Sequence, residues 1–213
     1  MILILFEAFQ YAAGRAAEWR DALGQHLLFV AVALSIGIIV CVPLGFVTAR
    51  SRLAALGILN AANALRVIPS LAILFLAIPY FGLSFASAAL ALTLLALPPI
   101  LINTDAAFRG ISPAVQEAAL ALGMTWRQRL WRVELPLALP VILTGVRAAT
   151  LEVIASATLA AFIGGGGLGI YVTRGFALFD NAILLVGAIS VALLALTAEL
   201  LLGGLERLAR APQ

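Results

Sequence analysis

Charged residues cut this chain into long apolar runs. Residues 27–49, LLFVAVALSIGIIVCVPLGFVTA, carry no charge and are closed by Arg50 and Arg52. At a rise of about 1.5 Å per residue, such a run crosses the roughly 30 Å hydrocarbon core of a bilayer as one helix. Residues 53–82 form a longer apolar stretch interrupted by Arg66, Pro69 and Pro79, which predicts one kinked or broken span. Residues 83–104 make a third uncharged run, with Pro98 and Pro99 near its end. A fourth span extends from Leu137 to about Phe162 and holds Arg147 and Glu152. Gly164 to Asp180 read as a loop, and residues 181–203 as a fifth span. The pattern predicts an all-α integral membrane protein with five transmembrane helices, or six if 53–82 turns back on itself.

Three regions follow from this pattern. Residues 1–26 alternate apolar and charged groups and predict an amphipathic helix on the membrane surface. Residues 27–205 form the transmembrane domain, with a polar connection at 105–135, and residues 206–213 a short tail. The opening MILILFEAFQ lacks a basic n-region and meets Glu7 within two turns, so no cleavable signal peptide is expected. His26 falls where the surface segment meets the first span, and Cys41 lies inside it as a small apolar filler.

Composition supports lipid as the solvent. Of the 213 residues 64% are apolar and only 11% charged, against about a quarter charged in a soluble domain. All 13 cationic side chains are arginine. If the first span runs from outside to inside, Arg50, Arg52, Arg109, Arg127, Arg129, Arg132, Arg207 and Arg210 fall in the cytoplasm. Only Arg15, Arg20 and Arg174 then lie outside, a clear positive-inside bias. The N-terminus is therefore expected outside, with the C-terminus and the 105–135 segment in the cytoplasm. The arginines follow membrane topology, so nucleic acid is not an expected partner. Without lysine, the glycine-rich GGGGLG at 164–169 is not a nucleotide-binding loop. One His, one Cys and scattered carboxylates leave no expected metal or nucleophilic centre.

The polar connection has well-defined local chemistry. Ser112-Pro113 is a helix start, with Ser as N-cap and Pro at the first helical position. Gly123 is a C-terminal breaker, and Thr125 with Gln128 makes a capping box for a second short helix that Pro136 ends. Helices this short need a surface to bury Val115, Ala118, Leu122, Trp126, Leu130 and Val133. Either lipid headgroups or a groove on a soluble partner would serve.

The segment EAALALGMTWRQRLWRVELP, residues 117–136, resembles the EAA loop of ATP-binding-cassette importer permeases. Glu117-Ala118-Ala119, Gly123, Val133 and Leu135-Pro136 stand at that pattern's spacings, with Val133 where Ile is commoner. IPSLAIL at 68–74 and ATLAAFIGGGGLG at 157–169 are similar to the osmoprotectant branch, which imports glycine betaine, carnitine or choline. The implied fold is the methionine-permease-like, type I fold, with the connection between spans three and four as a cytoplasmic coupling helix.

By that resemblance this chain is not itself an enzyme and holds no cofactor. ATP-Mg is used by separate cytoplasmic ATP-binding subunits. Glu117 would contact the ATPase, Ala118 and Ala119 allow close approach, Gly123 make the bend, and Leu135-Pro136 close the motif. The other implied partners are a second permease copy or paralogue, an extracytoplasmic substrate-binding protein and the lipid bilayer. Pro69, Ser70 and the glycines Gly164, Gly165, Gly166 and Gly167 are candidates for a translocation path or gate.

Arg147 and Glu152 are candidates for the same path, or for a helix seam. Each is too costly to face lipid, and five residues apart they lie about 140° from one another on a helix. Two other functions stay open on the residues alone. One is a secondary transporter driven by an ion gradient, which predicts inverted repeats that the two halves do not show. The other is an assembly protein whose basic loop grips anionic lipid.

Overall fold

A computed structural model describes residues 2–210, and among them there are helices and turns but no strands. The chain begins with α1 (Ile2–Gly14), α2 (Ala16–Arg50), α3 (Arg52–Val67), α4 (Ser70–Phe81) and α5 (Phe85–Arg109). Two short helices follow, α6 (Pro113–Ala121) and α7 (Trp126–Arg129). A π turn (Leu130–Glu134) then leads into α8 (Leu135–Ala157), and a 3₁₀ turn (Leu159–Ile163) precedes α9 (Gly169–Leu178) and α10 (Asn181–Ala209).

The centre of the bundle is α5, flanked by α2 and α8. Glycines on those two neighbours set the spacing. A Cβ on Gly45 of α2 would lie 2.6 Å from the Thr104 side chain. One on Gly145 of α8 would lie 2.6 Å from Asn103 Cβ and 2.8 Å from the Pro99 carbonyl oxygen. In lipid there is little hydrophobic drive between helices, so close backbone approach at small residues supplies the packing energy. Leu92, Ala96 and Ile100 of α5 are fully buried as a result.

Contacts along these helices fix their directions. Phe29 of α2 stacks on Phe85 of α5 at 4.5 Å between ring centroids. Further along, Gly37 approaches Ala96, Cys41 Sγ donates to the Leu97 carbonyl, and Gly45 meets Thr104. Both numbers rise together, so α2 and α5 run parallel. The α3–α4 pair between them must therefore return across the membrane. Its two helices are bent by 99° at Ile68-Pro69, and together they make one broken crossing. The total is five crossings, and the alternative of six is set aside.

Helix ends depart from the ends of the apolar runs at three places. The N-terminal segment breaks at Gly14–Arg15, not at residue 26, because nothing from Ala16 onward stops the helix that continues into the first span. His26 is consequently buried within α2, not interfacial. The expected loop 164–180 contains α9, which a sequence reading misses because its ten residues are stabilised by packing. There Gly175 lies so close to α10 that a Cβ would come within 2.4 Å of the Leu184 nitrogen. The last span also runs on to Ala209, beyond the expected residue 203.

Gly45→Val should test the close approach of α2 to α5. Overpacking of this kind costs about 1–3 kcal/mol. The expected outcome is a lower melting temperature of the detergent-solubilised protein by intrinsic fluorescence, with Gly57→Val, which faces open space, as the unaffected comparison.

Candidate functional site

The connection at 105–135 projects from the end of the bundle and is built almost wholly by local rules. Pro113 opens α6, but the Ser112 side chain makes no capping hydrogen bond although it stands at the expected position. At the other end, Gly123 adopts φ +71°. Its N–H donates to the Leu120 carbonyl at 2.9 Å, and the Met124 N–H to that of Ala119 at 3.2 Å. This pair of bonds is a Schellman motif, and the left-handed position favours glycine. The Thr125–Gln128 capping box forms with both of its bonds.

Downstream the structure corrects the sequence reading. The second short helix is not separated from the span at Pro136. Residues 126–157 form one continuous helix that passes through the π turn, so Pro136 lies inside it and supplies no N–H to the turn before it.

Glu117 and Ala118 are exposed on α6, while Ala119 is buried. Leu120, Leu122, Trp126 and Trp131 are also exposed, at 56%, 77%, 61% and 66%, so the segment presents an uncovered apolar surface beside Glu117. Leu135 is half-buried and Pro136 exposed.

One buried charged residue was missed by the sequence. The Glu134 carboxylate is buried, accepting from Arg129 Nε at 2.9 Å and from Arg50 at the end of α2. Five-residue spacing hid it, since a regular helix would turn Arg129 and Glu134 apart.

Within the membrane the charged groups divide into two kinds. Arg147 turns to α10, where Nε donates to Glu199 Oε2 at 2.8 Å and Nη1 to Glu206 Oε2 at 3.1 Å. Arg210 Nη2 reaches the other Glu206 oxygen at 2.6 Å. This is a helix seam. Glu152 points away from Arg147, is exposed and makes no ion pair among the described residues. Arg66, Asn60 and Asn63 on α3 are exposed too. Pro69 and Ser70 sit at the α3–α4 bend, Pro69 exposed and Ser70 half-buried.

At the opposite end, the glycine tract is a structured turn. Gly164, Gly166 and Gly167 have φ of +72°, +80° and +74°. The Gly167 N–H donates to Gln25 Oε1 at 3.1 Å and the Leu168 N–H to His26 Nδ1 at 3.3 Å. The other ring nitrogen, Nε2, lies 3.1 Å from the Ile154 carbonyl, so it must carry the proton and donate. His26 thereby ties α2, α8 and the glycine turn together in its neutral form. Nearby, Arg174 of α9 bridges Glu18 at 2.7 Å and the Tyr11 hydroxyl at 3.1 Å, and burial pushes the Tyr171 hydroxyl pKa up. Among the described residues no cluster of His, Cys, Asp or Glu is arranged to hold a metal ion.

Residues 41–211 match the family described as binding-protein-dependent transport system inner membrane component. The chain belongs to this family. It is a multi-pass inner membrane component of a transport system. The permease is 39% identical over 184 residues to the glycine betaine/carnitine/choline transport system permease protein OpuCB of Bacillus subtilis, covering 86% of this chain and 85% of that one. It is 41% identical over 187 residues to the osmoprotectant import permease protein OsmW of Salmonella typhimurium, covering 85% and 87%. Its fold is that of the inward-facing MetNI methionine ABC transporter, with a TM-score of 0.80, 21% identity, and coverage of 91% of this chain and 96% of that one.

In this permease, His26→Leu should loosen the glycine turn, because the buried Leu168 N–H loses its acceptor at a cost of about 1–3 kcal/mol. The check is limited proteolysis of solubilised protein, with faster cleavage expected between Gly164 and Gly167.

Proposed function

We propose that this chain is the transmembrane subunit of an ATP-driven importer for a small osmoprotectant such as glycine betaine, carnitine or choline. The observation that carries the coupling part of this reading is the projecting α6–α7 segment. A Schellman turn closes α6 and a capping box opens α7, the segment exposes Glu117, Leu120, Leu122 and Trp126, and none of the described residues covers them. A soluble ATPase subunit is the partner that such a handle suits, with Glu117 as the polar contact, Ala118 and Ala119 allowing close approach and Gly123 setting the bend. ATP-Mg belongs to that partner. The substrate class rests on the names of the relatives that match most of the chain.

The membrane face supports a second part of the proposal. Arg66, Glu152, Asn60 and Asn63 are exposed at membrane depth, where each ionised group facing hydrocarbon would cost on the order of 2.5–3.5 kcal/mol. That face is covered by a second permease copy or a paralogue, and the translocation path runs between them. Glu152 offers a negative charge to a quaternary ammonium group, and Arg66 keeps that charge from holding the cargo too tightly. Pro69 and Ser70 at the bend, and the turn Gly164-Gly165-Gly166-Gly167, form its gates. An extracytoplasmic binding protein delivers the substrate. Arginine placement puts the N-terminus outside and the coupling segment and C-terminus in the cytoplasm.

Two experiments test this. Glu117→Arg, assembled with the ATPases and the binding protein in proteoliposomes, should abolish ATP-driven uptake of labelled glycine betaine, choline and carnitine while membrane insertion stays normal. Uptake at the wild-type rate removes the coupling assignment. A cysteine at exposed Leu122 should react with an impermeant maleimide in inside-out vesicles and stay unreacted in intact cells. Labelling from the outside reverses the orientation and ends the proposal.

A further inference from the structure

Arg129 and Glu134 stand five residues apart, a spacing at which side chains on a regular α-helix point about 140° away from each other. Here they meet at 2.9 Å. The π turn is the reason. The Leu135 N–H bonds back to the Leu130 carbonyl, five residues earlier, and an i→i+5 turn brings residue i over residue i+5. The ion pair and the π turn therefore depend on each other.

The second oxygen of the Glu134 carboxylate is taken by Arg50, the last residue of α2. Arg50 is itself held from its other side by the Phe46 ring, 3.6 Å away. The Glu134 side chain is only 2% exposed, so one desolvated carboxylate is shared between the projecting segment and the end of the first crossing. A cavity of about 410 Å³, lined by Arg50 and Glu134 themselves together with Phe108, Ile111, Pro113 and Gln116, opens beside the pair, so at this end of the bundle the link rests on the charges, while deeper in the bundle α2 packs on α8 directly.

We infer that Glu134 is a positioning residue, which locks the turn in its π register and makes α2 follow the segment when that segment is displaced. If the carboxylate is neutralised, both arginines lose their counter-charge. The turn then relaxes to regular helix, and α7 rotates by about 100° relative to α8, one residue's worth of helical turn. The segment can then move without carrying α2. The inference rests on the reading of α6–α7 as the coupling segment, and adds to it the residue through which the motion leaves.

The test uses the complete complex with its ATPases and binding protein. In proteoliposomes, Glu134→Gln should lower the labelled glycine betaine carried per ATP hydrolysed by about fivefold or more, the lower end of ordinary coupling between sites. A purely structural role would reduce uptake and hydrolysis together and leave the ratio unchanged, and that result overturns the inference. Arg50→Gln keeps the Arg129 pair but cuts the tie to α2, and should lower the ratio as well. It decides the matter if Glu134→Gln does not assemble.

A second readout needs no substrate. Spin labels on cysteines at exposed Arg127 and Leu139 report the register across the turn, with buried Cys41 out of reach of the reagent. Their separation should change in Glu134→Gln, and an unchanged separation sinks the inference whatever the complex carries. Failure of the Glu117→Arg test, by contrast, removes the coupling reading itself.

Discussion

An ionised side chain cannot face hydrocarbon without a large desolvation cost, and this constraint organises the molecule. Arg147 is satisfied by Glu199 and Glu206 across the α8–α10 seam, which joins the last crossing to the bundle. Arg109 is satisfied by Asp105 one turn back at 2.7 Å and by the Thr48 carbonyl at the end of α2. Glu134 is satisfied by arginines from two elements. Lipid supplies no counter-charge, so the protein does: α10 for Arg147, the same helix for Arg109, and both its own helix and the end of α2 for Glu134. Glycines on α2 and α8 then allow the backbones to close on α5.

Against that rule, Arg66 and Glu152 stand out. Both are exposed in the isolated chain and make no ion pair among the described residues. The energetic argument that seats Arg147 in a seam also says that the face with Glu152 is incomplete. A second copy, and a water-lined path between copies, is the arrangement proposed here because it gives both groups a polar environment.

The sequence carried the membrane crossings well, because a charge-free run of twenty or more residues has one stable conformation in lipid, a helix. It carried the caps of the projecting segment equally well: Gly123 and the Thr125–Gln128 box depend only on neighbours a few residues away. What it did not carry were features made by tertiary contact. α9 is too short to be a helix without α10, and His26 looks interfacial until the glycine turn folds back over it. Glu134 lies within the EAA-like segment, yet its partner at position 50 is invisible to spacing. Its partner at position 129 is misread by the 3.6-residue period that serves everywhere else.

That last failure has a physical meaning. A π turn inserts one residue into a helix, and the surplus bond geometry persists only where something holds it. In this chain the pairs of Glu134 with Arg129 and Arg50 sit on that turn, and Pro136 just beyond it supplies no N–H to the turn before. The local rules that make the projecting segment stiff and the long-range pair that ties it to α2 meet in the same five residues, Leu130–Glu134. A stiff handle joined to the bundle through apolar packing alone would tilt and slide by small amounts. A buried, directional ion pair instead favours one register of the segment against α2 and α8.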